Sequence, residues 1–528
     1  MDRSLGVSTS RVAAAALAVS LATLAGAPAD DAAATGVGPQ PVDGAFRRTT
    51  SEAGGSTESH GSVDERLMAE LERQGFTGRV EATLPARLGR MLDSKLVELG
   101  RDLFFDSLVG LHDDNSCAGC HAPSAGMGDT QSIAIGVQNN GRVGPGRTGP
   151  RNQRRTPSVV NAAFFPKLMW NGRFESLSGD PFSNASGFRF PPPEGDIRFP
   201  PHDPIVTHLL VAQAHIPPTE LTEVAGFTGV SDLGRRFLQF DDGLGSTVPP
   251  PDGSGFRNEP VRQAVLQRLN STPAYVALFA GSFPEVGAGT PIDFTMFGRA
   301  VAEFEFSLVR ADAPLDRFAR GDRNAMTSHE KEGAMVFFGK GRCVQCHAVS
   351  GAANEMFSDF SMHNIAVPQI APRFGVGKGN VLFDGPGRNE DFGLEQVTGQ
   401  GADRYLFRSS PLRNVALQPA FFHNGAFTRL RDAVRHHLDP ARSLAGYDPA
   451  KAGVASDLRH RQGPHQELLA TLDPLLRDPI RLDDNELEDL VEFVGHGLLD
   501  PRARSANLCA LVPASLPSGR AVATFQGC

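Results

Sequence analysis

Two stretches repeat one pattern. Ser116-Cys117-Ala118-Gly119-Cys120-His121 and, far downstream, Cys343-Val344-Gln345-Cys346-His347 each set two cysteines two residues apart, with histidine following at once. That spacing is the attachment signal of a c-type haem. The two thiols can add to the vinyl groups of one porphyrin, and the next residue stands where an imidazole reaches the iron. Two covalent haem c groups are therefore expected, one on Cys117, Cys120 and His121 and one on Cys343, Cys346 and His347. The bland readings are weaker. An all-thiolate zinc site pairs its C-x-x-C halves about 15–20 residues apart, whereas these lie in opposite halves of the chain. A thiol redox pair needs no histidine after it, and here the histidine occurs twice.

Positioning two haems takes two cores, and 528 residues suffice for two or three domains. Apolar content of 40%, charged content of 21% and a net charge of −9 describe a soluble globular protein and argue against nucleic acid as a partner. Arg3, Arg11, the apolar run Val12 to Leu24 and the small residues Ala25-Gly26-Ala27 read as a secretory signal peptide over 1–27. That run is too short to span a bilayer, and no cysteine follows to take a lipid, so no membrane anchor is expected and the compartment is periplasmic. Residues 28–62 are rich in Ala, Gly, Ser, Thr and Asp and read as a disordered linker.

From Val63 onward the apolar spacing is helical, through Leu67, Leu71, Leu88, Leu92, Leu96 and Leu99. Further helices are expected over 206–214 and 294–309, from Thr327–Glu330 (a capping box) to Phe338, over 430–438, and from Asp483 or Asp484 with the stripe Leu487, Leu490, Val491, Val494 and Leu498. Gly126 to Gly149 suits a loop over a haem face. Ser178 to Pro204, heavy in Pro, Phe and Gly, reads as a surface insertion that forms neither a helix nor a central strand. Asp241 to Gly255 reads as a second loop-rich patch. The fold class is mainly α: two cytochrome c-like haem domains with long loops and insertions, over 63–316 and 317–502, then a tail over 503–528. In an oxidising compartment Cys509 and Cys528 are expected to pair and pin that tail.

The motif order resembles the bacterial di-haem cytochrome c peroxidases and their MauG-like relatives. Carrying the likeness are Leu103-Phe104-Phe105-Asp106, Thr156-Pro157-Ser158-Val159-Val160-Asn161-Ala162, Trp170-Asn171-Gly172-Arg173, Phe304-Glu305-Phe306-Ser307-Leu308, Pro411-Leu412-Arg413-Asn414-Val415 and His423-Asn424-Gly425. It covers roughly residues 85–500 apart from the two insertions. The resemblance implies reduction of hydrogen peroxide to water at the N-terminal haem, with electrons from a small c-type cytochrome or cupredoxin entering through the C-terminal haem and passing Trp170 between them. One alternative is an oxidase or oxygenase acting on a protein side chain or an organic molecule. Another is a non-catalytic electron carrier.

Residue by residue, the resemblance also marks departures. Many members cap the first iron with a histidine where this chain has Val137, sixteen residues beyond His121. Valine cannot ligate, so the first haem is expected to be open at rest unless His112 or His215 swings in. For the family's glutamine and glutamate, Asp180 follows the tryptophan where the glutamine could fall. Gln213-Ala214, Pro217 and Glu223 reproduce the spacing better, giving Glu223 as acid/base and Gln213 as its hydrogen-bonding partner for peroxide; His215 is a spare titratable group there. Distal to the second iron the family places methionine or tyrosine fourteen residues after the histidine of its His-x-Gly motif, which here is His437, with His436 as the fallback. Histidine in place of methionine lowers the potential. Arg155 stands where an asparagine helps to bind calcium in the family, near Gln418-Pro419-Ala420, and would repel the ion or replace its charge; calcium is not expected.

Overall fold

Helix Ser94–Phe105 leads toward the first haem motif, and its residues dictate both its start and its buried face. In the computed structural model, which describes residues 61–190, 197–233, 240–372, 382–459 and 463–528, Asp93 caps this helix by accepting the backbone N–H groups of Lys95 and Leu96. Leu96, Leu99, Leu103 and Phe104 form its buried stripe. The signal peptide and nearly all of the linker expected over 28–62 lie outside the described residues.

Against that stripe lies helix Phe294–Phe306, and the contact is so close that a Cβ on Gly100 would fall 1.9 Å from the carbonyl oxygen of Ala300 and 3.0 Å from Cβ of Phe304. The second half repeats the device. Helix Ser328–Phe338, opened by the Thr327/Glu330 capping box, crosses helix Asp484–Glu492, opened by an Asp483/Glu486 box. There a Cβ on Gly333 would meet the carbonyl of Asp489 at 1.9 Å and Cβ of Phe493 at 2.8 Å. In each half a glycine lets a crossing helix approach, four residues before a phenylalanine, just upstream of a C-x-x-C-H motif. The chain is thus mainly helical with two haem-motif halves, as the class required.

The chain ends cross over. Helix Val63–Arg73 packs on Ser328–Phe338, so Leu67, Leu71 and Phe76 join Phe337 and Phe493 in the core of the second half. Leu508, Leu516 and Phe525, from the tail, join the core of the first half with Leu99 and Phe104. Strand Thr524–Phe525 pairs parallel with Arg142–Val143, and Cys509 is disulfide-bonded to Cys528.

One expectation is corrected. Within Ser178–Pro204 the segment Phe188–Phe190 is an inner strand, hydrogen-bonded on one side to Phe174–Ser176 and on the other to Ile197–Phe199, in a four-stranded antiparallel sheet completed by Lys167–Leu168. Its Phe-Arg-Phe alternation sends two rings inward, where Phe188 and Phe190 are wholly buried beside Phe174, while Arg189 pairs with Glu175. Each such ring contributes about 1.5–3 kcal/mol of burial, so the insertion belongs to the core. The helix expected over 206–214 is shorter, Leu209–Gln213, because His208 caps it with Nδ1 on the N–H of Leu210. No helix among the described residues is long and apolar enough to cross a membrane.

Candidate haem sites

The second C-x-x-C-H motif opens onto a deep cavity lined by Cys343, Cys346, His347, His437 and Trp170. His347 donates Nδ1–H to the carbonyl of Phe357 at 3.0 Å, and His437 donates Nδ1–H to that of Ala433 at 2.9 Å. Both Nε2 atoms are thereby left as ligand positions. The two ring centroids are 6.0 Å apart. A metal bound by both imidazoles needs roughly 2 Å from each nitrogen plus about 1 Å from nitrogen to ring centre, which is about 6 Å in total. The residues fit an axially ligated iron. His436, the fallback, spends both nitrogens elsewhere, on Ser443 Oγ at 2.9 Å and the carbonyl of Ile365 at 2.8 Å.

None of the four thiols shows the depressed pKa of a redox pair. Burial pushes Cys343 and Cys346 up to about 12, Cys117 to about 12 and Cys120 to about 11, whereas redox C-x-x-C motifs depress one thiol. Among the described residues no three His, Cys, Asp or Glu side chains converge as a metal cluster, so the two motifs do not combine into a zinc site.

Around the first motif the geometry is different. Burial drives the His121 imidazole down to about 4, against the carbonyls of Met127 and Pro157, so it is neutral and available as a ligand. Asn115 joins this motif to the turn Leu221–Ala225 by donating Nδ2–H to the carbonyl of Glu223 at 2.7 Å. Arg147, which sequence reasoning passed over, fastens the arrangement by donating to Asn115 Oδ1 at 2.7 Å and to the carbonyls of Ile135 and Gly136. Val137 is buried, and its N–H reaches the carbonyl of Thr222 at 3.2 Å. Gly136 makes that approach achievable, since a Cβ there would stand 2.0 Å from the same oxygen. An apolar residue therefore packs directly against the turn that carries Glu223.

Burial, then the charge of Glu220, raise the Glu223 carboxyl to about 8, while Arg173 pulls it down. Arg173 also pairs with Glu220, which links the Trp170-Asn171-Gly172-Arg173 segment to this turn. Gln213 ends helix Leu209–Gln213, and the turn Pro217–Thr219 connects it to Glu223. Among the described hydrogen bonds none joins the Gln213 side chain to Glu223. Asp180 pairs with Arg87 and caps Phe182 N–H, a structural role.

The histidines that could swing in are committed. His112 lies between Asp114 at 3.0 Å and Asp242 at 2.8 Å, and these two carboxylates raise it to about 9. His208 spends both nitrogens, on the carbonyl of Ala163 and the N–H of Leu210, whereas His215 fixes only Nδ1, on the carbonyl of Val211, and its ring is held by packing 5.2 Å from Phe199 and 5.4 Å from Phe294.

Between the sites runs the segment 155–158. Pro157 turns its carbonyl toward His121, yet lines the second cavity together with Arg155, Thr156 and Ser158. Trp170 donates Nε1–H to the carbonyl of Arg155 at 2.9 Å. The Arg155 guanidinium donates to the carbonyl of Asp129 at 3.1 Å and to Gln418 Oε1 at 2.9 Å. A fixed cation thus occupies these two oxygens.

Residues 94–324 match the family model described as di-haem cytochrome c peroxidase. The chain is similar to cytochrome c551 peroxidase of Pseudomonas aeruginosa, 26% identical over 346 residues that cover 66% of this chain and 72% of that one. It is equally similar to methylamine utilization protein MauG of Methylorubrum extorquens, 26% identical over 397 residues, 75% of this chain and 82% of the relative. A solved MauG-like protein associated with microbial copper homeostasis shares the fold at a TM-score of 0.51 and 19% identity, over 78% of this chain and 91% of that one.

Proposed function

Since this chain belongs to the di-haem cytochrome c peroxidase and MauG-like family, we propose that it reduces hydrogen peroxide to water at the His121 site. Electrons come from a small c-type cytochrome or cupredoxin, which delivers them to the site of His347 and His437 in a periplasmic setting. The observation that carries this reading is the asymmetry of the two sites. Two imidazoles face each other 6.0 Å apart across the second cavity. Near the first motif, by contrast, Asn115 links Cys120 to the turn of Glu223, on which the non-ligating Val137 packs, while His112 and His208 spend both ring nitrogens on other partners.

When bound, one haem held by Cys117, Cys120 and His121 and one held by Cys343, Cys346, His347 and His437 would supply the redox chemistry. The protein's own contribution is proton handling and positioning. Glu223, in its ionised form, takes the proton from the nearer peroxide oxygen and returns it to the farther one. Arg173 and Glu220 set how readily it ionises. Asn115 and Arg147 fix the turn that aims it. Trp170 is held by the carbonyl of Arg155 in the material that separates the sites.

The second reading, oxidation of an organic or protein substrate, is favoured by the similarity to a protein named for methylamine utilization over 75% of this chain. EPR of the oxidised holoprotein paired with peroxide turnover decides. One high-spin and one low-spin haem, with turnover of a reduced cytochrome that is lost in Glu223→Gln, supports the peroxidase. Turnover only with an organic substrate supports the second reading, and two low-spin haems that ignore peroxide refute both.

A further inference from the structure

The wall of the second cavity carries more positive charge than the protein itself neutralises. Arg413, also on that wall, is matched by a bidentate contact to buried Asp316 at 2.7 and 2.8 Å. Arg408 is as buried but spends its donors on neutral oxygens, Nε on the carbonyl of Met169 at 3.1 Å and Nη1 on that of Ser409 at 3.2 Å. Its guanidinium lies 5.6 Å from the Phe360 ring and 6.0 Å from the Phe165 ring, and no carboxylate pairs with it among the described ion pairs. Arg155 is 4% exposed and leaves Nε without a partner, and the one acid acting on it is buried Asp129, so Arg408 is the cation without a counter-charge. His423 is 1% exposed, with both ring nitrogens unpartnered. The nearest acid to it, Asp391, is 4.0 Å away and already held by Arg154. All three residues line the cavity that holds His347 and His437.

Two of them bracket Trp170. Arg408 donates its backbone N–H to the carbonyl of Trp170 at 2.8 Å, and Arg155 accepts the indole N–H. A buried cation without a counter-charge is costly, and buried donors without acceptors are rare in native proteins. Their concentration on one wall calls for an occupant that brings acidic groups. A porphyrin of the haem c type carries two carboxylates on one edge.

We infer that Arg408, Arg155 and His423 form a carboxylate-binding wall for the two propionates of the haem in this cavity, so that its acidic edge faces Trp170. The inference rests on the haem reading of the cavity and adds the orientation of the ring within it. Arg408 and Arg155 pair with the two carboxylates, and neutral His423 donates one N–H. They are positioning residues: they set which edge meets the tryptophan and hold positive charge beside the iron, which raises its potential.

The test uses the holoprotein, wild type and with Arg408→Gln, Arg155→Gln and Arg408→Lys. Haem content and EPR come first, and absence of a bis-imidazole low-spin centre from the wild type would overturn the haem reading itself. With both haems attached, Arg408→Gln and Arg155→Gln are each expected to lower the potential of the low-spin haem by about tenfold in its reduction equilibrium, ~59 mV for one electron. The resonance Raman propionate-bending band should move in the same variants, and Arg408→Lys should restore most of the potential. On the wild type alone, that band should shift in D2O, because the carboxylates accept exchangeable N–H bonds. An unshifted wild-type band in D2O, or unchanged potentials in both glutamine variants with their haems present, would overturn the inference and leave the haem reading standing.

Discussion

Peroxide reduction at the His121 site should show an ascending acid-side limb set by Glu223. The carboxylate must accept a proton before it can return one, so only the ionised form starts the reaction. Burial first, and the Glu220 charge second, raise this group to about 8. An acid with a raised pKa is mostly protonated at neutral pH and gains its active form as pH rises. With that value roughly a tenth of the molecules are ionised at pH 7 and about nine tenths at pH 9, so the second-order rate with peroxide should climb close to ~10-fold between them. Stopped-flow absorbance of the fully oxidised holoprotein, from pH 6 to 10 with peroxide in excess, measures this directly. Glu223→Gln should abolish the limb and lower the plateau by about 10²–10⁴. Glu220→Gln removes the second cause and frees Arg173 to act on Glu223, and both effects lower the pKa. The limb should then move to lower pH and the rate at pH 7 should rise. A flat wild-type profile between pH 7 and 9, or the same limb in Glu223→Gln, would refute the assignment.

Further outcomes follow from the packing. His437→Ala should convert the low-spin haem to high-spin by EPR, whereas His436→Ala should keep the ligation and cost about 1–3 kcal/mol in denaturant unfolding, since its ring bridges Ser443 and Ile365. Gly136→Ala drives a methyl into the carbonyl of Thr222 and should slow the peroxide reaction at unchanged haem content while costing about 1–3 kcal/mol. Arg413→Ala strands buried Asp316 and should cost about 3–5 kcal/mol, read as a fall in Tm. Cys509→Ser opens a loop with a sequence separation of 19 and should cost about 3 kcal/mol.

Local chemistry made the helices legible: the Thr327/Glu330 box stands where its side chains required it, and the last helix starts at Asp484 as its stripe required. On the helix from Leu430 the two adjacent histidines take different surroundings: His437 lines the second cavity, while His436 is buried against Ser443 and Ile365. Phe188–Phe190 was misread because three residues between Gly187 and Pro191 are too short for alternation to outweigh composition. Partners across long distances were not legible at all. An amphipathic stripe on Val63–Arg73 says that a face is buried, not that its cover is Phe337. Arg408 and His423 passed unnoticed because what distinguishes them is a missing counter-charge, which only three-dimensional neighbours reveal. The one signal was an arginine, in Arg408-Ser409-Ser410-Pro411, with no acidic residue within four positions on either side.

The crossed ends govern how this chain can fold. The core around Phe337 and Phe493 needs Leu67 and Leu71, which leave the ribosome first, and the core around Leu99 and Phe104 needs Leu508 and Phe525, which leave it last. Neither half can complete itself from a contiguous stretch, so loop-closure entropy must be met before either core rewards it. The two halves should therefore melt in one calorimetric transition, and no single cut in the chain yields a self-sufficient one-haem fragment. The spacing between the two C-x-x-C-H motifs is thereby locked by the same contacts that make the chain fold.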